Sequence, residues 1–224
     1  MISREHLLEI AFWAVDLAND EIERARRGVV EKTYPAGAYI CHRGDRLNSW
    51  AGVVNGLVKL GSVSKHGKSV TFAGLRESGW FGEGAILKDE PRLYDVVALR
   101  DTRLAFMNRS TFLWLFEHSA TFNHFLVRQL NERLGQFIAL VEYDRTLDAP
   151  ERVARNIALL FNPVLFPLVN THLEISQEEL GLLTGISRQA TNKSLQLLEN
   201  EGFISVERNG ITVLDLLGLC RYGE

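Results

Sequence analysis

The hydrophobic period of this chain changes near residue 110, and that change restricts the folds open to it. From about Tyr34 to Met107 the texture is β. Gly37, Gly44, Gly56, Gly61, Gly67, Gly79, Gly82 and Gly84 punctuate short runs such as AYICHRG, AGVVNGLVKLGSV, KSVTFAGL and DVVALRDTRLAFM. Short runs of β-formers at regular spacing, separated by glycine turns, predict a small sandwich or barrel. KHGK, Lys65 to Lys68, reads as a hairpin tip. Beyond Ser110, Val127, Leu130, Leu134, Phe137 and Val141 step by 3, 4, 3 and 4, an a/d seam on a long helix ending near Leu147. Phe125, Leu126, Ile138 and Leu140 supply further apolar positions for packing on the barrel. Two apolar faces on one helix predict two partners, the chain's own barrel and a second copy of the chain.

A second boundary follows at LDAPERVAR. Asp148 can cap a new helix, Pro150 sits in its first turn and Glu151 completes a capping box. The expected domains are therefore 1–109, an N-terminal helix plus barrel; 110–147, the long helix; and 148–224. Leu7, Leu8, Phe12, Val15 and Ile22 suit an amphipathic N-terminal helix, interrupted by acids that a signal-peptide core would not carry. The apolar segment FNPVLFPLVN, Phe161 to Asn170, is broken by Pro163 and Pro167 and is expected to pack beneath the domain that follows.

The most specific stretch is EISQEELGLLTGISRQATNKSLQLLENEGFI. Ser176 and Glu179 form a capping box, Leu180 and Leu183 give the first helix its buried face, Gly185 supplies the turn and Ser187 caps a second helix. Ala190, Leu195 and Leu198 face the core of that helix. Two short helices about a glycine turn predict a helix-turn-helix. ISVERNGITVLD follows, two β-runs joined through Asn209-Gly210, a hairpin signal that adds a wing. In such motifs the start of the second helix meets base edges in the major groove. The candidate DNA-binding residues are therefore Ser187, Arg188, Gln189, Asn192 and Lys193, with Ser176 at the start of the first helix. Arginine matches guanine O6 and N7, and glutamine can pair with adenine. Net charge is −3, so DNA affinity must come from a local patch and be salt-sensitive.

These pieces together resemble the Crp/Fnr family of bacterial transcription regulators, which includes the cyclic-AMP receptor protein. PAGAYICHRGD, WFGEGAIL, LDAPERVAR and GISRQATNKSLQLLE carry the resemblance, which extends from about residue 30 to 215. It implies an α+β chain: a cyclic-nucleotide-binding-type β-barrel (a double-stranded β-helix or jelly roll), a long dimerisation helix and a C-terminal winged helix-turn-helix. It implies a cytoplasmic, non-enzymatic homodimer that binds a double-stranded, pseudo-palindromic operator. The dimer interface would be Val127, Leu130, Leu134, Phe137 and Val141. Activation would need a contact with RNA polymerase; repression would need only occupancy. Arg188 matches the family's guanine-reading arginine, while Gln189 and Lys193 stand where the cyclic-AMP receptor has glutamate and arginine.

The resemblance also places an effector pocket at Gly82, Glu83 and Arg92, which in nucleotide-binding members meet ribose and phosphate. Leu93 stands where a small or hydroxylated residue is usual, and Tyr94 also replaces a small one. Phe137 and Ile138 stand where hydroxyl residues receive the adenine. Burying a phosphate among Leu93, Phe137 and Ile138 is costly. The expected effector is therefore not cyclic AMP, and no cofactor is assigned. The alternatives are a cyclic-nucleotide-responsive regulator with an intact cradle, or a signalling module of the same barrel that works on proteins. Haem ligation by His42, His66, His118 or His124, and redox sensing by Cys41, leave only isolated residues as signals. Two cysteines exclude a four-cysteine cluster in one chain, and no run is apolar enough to span a membrane. A cupin-type metal enzyme would need clustered His and Glu ligands, and no H-x-H occurs.

Overall fold

The computed structural model describes residues 1–46, 48–63 and 69–223; the expected hairpin tip at Lys65 to Lys68, and His66 within it, lie outside the described residues. The N-terminal segment forms two helices, α1 (Arg4–Ile10) and α2 (Asn19–Gly28), with a short 3-10 turn at Phe12–Ala14 between them. Ser3 caps α1 by accepting from the His6 amide, and Glu21 accepts from the Ala18 amide at the start of α2. The expected single amphipathic helix is thus broken in the middle, and Val15 lies on the surface. The His6 ring bridges Glu9 and Glu31, tying α1 to the barrel; bonding to Glu9, ahead of that to Glu31, holds its pKa above the ordinary value.

The barrel consists of two four-stranded antiparallel sheets. Its strands are β1 (Val29–Tyr34), β2 (Tyr39–Cys41), β3 (Ser49–Asn55), β4 (Val58–Val63), β5 (Ser69–Leu75), β6 (Trp80–Phe81), β7 (Asp95–Ala98) and β8 (Thr102–Asn108), with α3 (Glu83–Lys88) between β6 and β7. One sheet runs β1-β8-β3-β6 and the other β2-β7-β4-β5. Successive residues of a strand face opposite ways, and this sheet uses both faces. Ala51 and Val53 of β3, with Leu104 and Phe106 of β8, point into the space between the sheets. Trp50, Ala105 and Met107 point outward beneath α1, α2 and the helices that follow β8. There Trp13, Trp50 and Trp80 meet with ring centroids 4.3 to 5.3 Å apart. Strands buried on both faces explain why their sequences read as near-continuous apolar runs rather than clean alternation.

The long helical segment is two helices, α4 (Arg109–His118) and α5 (Ala120–Thr146). Ser119 separates them; its hydroxyl accepts from the Phe122 amide and so caps α5. The single helix expected from residue 110 onward therefore starts at Ala120. With 27 residues, α5 is about 40 Å long. Its barrel-facing side is partly the one expected. Leu126 is buried there with Phe122, and Phe125 packs against them, but Gln129, Arg133 and Gln136 continue the stripe, while Ile138 is exposed. Helix α6 (Ala149–Leu159) begins at the Asp148–Glu151 capping box, with Pro150 in its first turn.

The remainder is β9 (His172–Leu173), α7 (Gln177–Thr184), α8 (Arg188–Asn200), β10 (Ile204–Glu207), β11 (Gly210–Val213) and α9 (Leu216–Arg221). The hairpin pairs Glu207 with Gly210, so its turn residues are Arg208 and Asn209, neither with a positive φ. Asn209-Gly210 marks the hairpin for a different reason from the one expected. A Cβ on Gly210 would lie 2.4 Å from the Leu173 carbonyl, so the glycine admits β9 as a third strand. The segment 161–169 departs most from expectation. It packs beneath α6 through Phe161, but Leu165 and Phe166 leave that core and join the interior of the barrel.

Candidate nucleic-acid interface and effector cradle

The helix-turn-helix is built from local capping. The Ser176 hydroxyl accepts from the Glu179 amide, and the Glu179 carboxylate accepts from the Ser176 amide. Gly185 ends α7 in the left-handed conformation, and the Ser187 hydroxyl accepts from the Ala190 amide to start α8. The buried face of α8 is Thr191, Ser194, Leu195 and Leu198, with Ala190 half-buried. The two hydroxyls are satisfied within the helix, Thr191 donating to the Ser187 carbonyl and Ser194 to the Ala190 carbonyl. That leaves Ser187, Arg188, Gln189 and Lys193 exposed at the start of α8, Asn192 half-buried beside them, and Ser176 exposed at the start of α7. A concavity of about 340 Å³ runs between the starts of both helices and the wing, lined by Ser176, Gln177, Glu178, Arg188, Glu207 and Arg208. Gln177 and Arg208 are candidates that sequence reasoning passed over. Arg208 could have been found as the only cation in the wing turn ERNG. Two arginines share this concavity with two glutamates, so its field is mixed.

The cradle has the expected frame and an unexpected content. Gly82 has φ +100°, a left-handed value that glycine adopts at little cost, and it caps the short α3. Glu83 and Arg92 are both buried. The guanidinium of Arg92 lies flat against Gly82, where a Cβ would come within 2.2 Å of its Nη1, and Nη2 donates to the Ser49 carbonyl. Arg92 thus fills the space over the Phe-Gly-Glu turn. Leu93 does not, because its side chain is 63% exposed. Phe137 and Ile138 lie on the exposed side of α5 and do not line the cradle cavity. That cavity, bordered by Gly84, Ala85, Lys88, Arg92, Leu93 and Tyr94 among others, holds only about 100 Å³. Pockets that bury drug-sized ligands hold roughly 300–1,000 Å³, so this cavity is small by comparison.

Several buried polar atoms around it have no hydrogen-bond partner among the described residues: Arg92 Nε and Nη1, Glu83 Oε2, Arg133 Nε and Gln136 Oε1. Glu83 and Arg92 therefore do not pair through these atoms. Arg133 and Gln129 donate from α5 to the Trp80 carbonyl, which fastens the helix to the cassette. Burial, and then the nearby Glu83 carboxylate, push the Tyr94 phenol upward, while Arg92 and Arg133 oppose them. One tyrosine thus has charges of both signs around it.

The other candidate sensors stand apart. His42 stacks on Tyr39, His118 stacks on Trp114 and donates from Nδ1 to its carbonyl, and His124 is exposed. Cys41 is buried, and burial raises its thiol pKa, away from thiolate chemistry. Among the described residues no three His, Cys, Asp or Glu side chains are grouped to hold a metal ion, and no helix is long and apolar enough to cross a membrane.

Residues 31–119 match the cyclic nucleotide-binding domain, and residues 151–222 match the Crp-like helix-turn-helix domain. The chain is 29% identical over 188 residues to the cyclic AMP receptor protein of Thermus thermophilus, covering 84% of this chain and 85% of that one. It is 28% identical to the transcriptional regulator SdrP of the same organism, covering 77% and 82%. The structure of FixK2 from Bradyrhizobium japonicum superposes with a TM-score of 0.69 at 17% identity, over 85% of this chain and 95% of that one.

Proposed function

We propose, for a chain that belongs to the Crp/Fnr family of transcription regulators, that it acts as a homodimer reading a pseudo-palindromic operator through the start of α8. The observation that carries this reading is the row Ser187, Arg188, Gln189 and Lys193, exposed at a capped helix start beside the wing. Arg188 would pair with guanine. Ser176 and Gln177 at the start of α7 and Arg208 on the wing would meet phosphates. Contacts of that kind set register, and base contacts set sequence. The second copy would join through Val127, Leu130, Leu134, Phe137 and Val141, all at least 36% exposed in the single chain. An apolar row of that length on a monomer surface calls for a partner.

The effector we assign is compact and polar, and is not cyclic AMP. The small cavity supports this, together with the unpartnered atoms of Glu83, Arg92, Arg133 and Gln136. Of these residues Arg92 lines the cavity, so a ligand there would supply partners for its Nε and Nη1, and each such buried atom costs about 1–3 kcal/mol unsatisfied. The rival reading, a cyclic-nucleotide-gated regulator, needs Arg92 to leave Gly82. A contact with RNA polymerase belongs to an activator and is not required for repression by occupancy.

One binding experiment addresses both parts. Operator duplexes are selected by the wild-type chain from a randomised pool, and affinity is followed by fluorescence anisotropy with and without cyclic AMP. Arg188→Ala is expected to lose roughly tenfold to a hundredfold of its preference for operator over scrambled DNA. Cyclic AMP is expected to change nothing. Unchanged discrimination in the variant defeats the assignment of Arg188, and a strong response to cyclic AMP restores the nucleotide reading.

A further inference from the structure

The loop 161–169 is anchored in both halves of the molecule. Asn162 shapes it: its side-chain oxygen accepts from the Val164 and Leu165 amides, and its nitrogen donates to Glu132 on α5 at 2.6 Å. Phe161 stays in the core of the winged domain. Leu165 and Phe166, both at most 2% exposed, pack with Val53, Leu75, Phe81 and Leu104 inside the barrel. Phe166 lies so close to Gly79 that a Cβ there would come within 2.7 Å of its ring. The exchange is reciprocal, because Leu57 of the barrel belongs to the core of the winged domain.

Polar contacts frame this insertion. Arg76 is buried at the joint, its guanidinium over the Phe161 ring and its Nη2 donating to the His172 carbonyl. The Thr71 hydroxyl donates to the Leu182 carbonyl at the end of α7. Arg100, in the loop after β7, donates two bonds of 2.9 and 2.7 Å to Glu179. Glu179 is the residue that completes the cap of α7, so Arg100 grips the helix-turn-helix at its first turn. Together these contacts fix the attitude of α7, and with it α8, relative to the barrel and to α5.

We infer that the Leu165–Phe166 plug and the Arg100–Glu179 pair are positioning residues that set the operator half-site spacing this protein accepts. The inference rests on the dimeric, operator-reading function proposed above. In a symmetric dimer the separation of two recognition helices follows from how each winged domain is seated on its own barrel. Half-sites are read best when they lie one helical turn apart, or at whatever separation matches the two helices. A domain held by a plug in a packed core has one seat, because cores are close-packed and do not deform continuously. A domain on a loose tether has many.

The test uses the full-length chain and operators selected by wild type, each then lengthened or shortened by one base pair between half-sites. Wild type is expected to lose about tenfold in affinity on either change. Phe166→Ala and Arg100→Ala are expected to flatten that preference, while keeping the wild-type penalty for a changed base within a half-site. Arg100→Ala leaves the core intact and serves should Phe166→Ala fold poorly. Leu115→Ala, a truncation in the separate core beneath α1 and α2, is the control for lost stability and should keep the spacing preference. Unchanged spacing preference in both Phe166→Ala and Arg100→Ala overturns the inference, as does flattening by Leu115→Ala as well. Failure of wild type to select any duplex overturns the operator-reading function itself, and this inference with it.

Discussion

The Arg92 guanidinium lies against Gly82, and its burial leaves two of its donors without partners. The glycine and the arginine are therefore interdependent. Gly82→Ala would impose a left-handed backbone on a residue with a Cβ and drive that Cβ into the guanidinium. The backbone strain costs about 1–3 kcal/mol, and the far end of the arginine can give way to the Cβ, so urea denaturation should show a loss of about 1–3 kcal/mol. A neutral result would mean that Gly82 does not hold a left-handed conformation. Gly82, Glu83 and Arg92 could be singled out from sequence because they stand in a recognisable cassette, and the structure brings Gly82 and Arg92 together. The direction of a flexible arginine was not legible there, nor was the outward turn of Leu93. Both depend on neighbours brought in from β3 and α5, far along the chain.

Among the elements, α5 carries the most information per residue. Its exposed stripe is apolar and its barrel-facing stripe turns polar after Leu126, the reverse of an ordinary surface helix. Leu134→Glu places a charge in the middle of the exposed seam and should convert the proposed dimer to a monomer in sedimentation velocity. The barrel should remain folded, since Leu134 is 59% exposed in the single chain. An unshifted sedimentation coefficient would move the dimer interface elsewhere. Capped elements were read closely from sequence: Asp148 with Glu151, Ser176 with Glu179, and Ser187 each act within one turn. The break at Ser119 was missed because the apolar pattern continues across it, with Phe112 and Leu115 on one side and Phe122 on the other. The polar stripe Gln129, Arg133, Gln136 was missed for a related reason. A buried arginine looks like a solvated one until the Trp80 carbonyl that it serves is known.

For the whole molecule, the question is how firmly two domains are joined. The Arg100–Glu179 pair gives a pH signature. Burial alone would raise the Glu179 pKa, but bonds from Arg100 and then Ser176 outweigh it and hold the value below the ordinary carboxylate range. A depressed folded-state pKa contributes stability above the unfolded value, and that contribution disappears as pH falls through the folded one. At neutral pH Arg100→Ala should therefore destabilise the chain by about 1–3 kcal/mol, the range for a hydrogen-bonded charge. The difference from wild type should shrink as the pH falls through the range in which Glu179 takes up its proton, below that of an ordinary carboxylate. A gap in melting temperature that stays constant from pH 7 to pH 3 would show that Arg100 acts through packing and not through the charge of Glu179. None of this joint was legible in the sequence. Leu165 and Phe166 read as one apolar loop with Phe161, and hydropathy does not tell which of two cores an apolar side chain enters.

The exchange of Leu57 for Leu165 and Phe166 also bears on how such a chain can diversify. A receiver module that finishes its own interior can be cut out and attached to a new output by recombination. Here the receiver borrows part of its filling from the output, and lends a leucine in return. A transplanted barrel would arrive with a hole, and any new output joined to it would have to bring two side chains of matching shape. Inheritance should therefore keep the two halves together as one unit, with change entering by substitution along the joint more readily than by shuffling of whole domains.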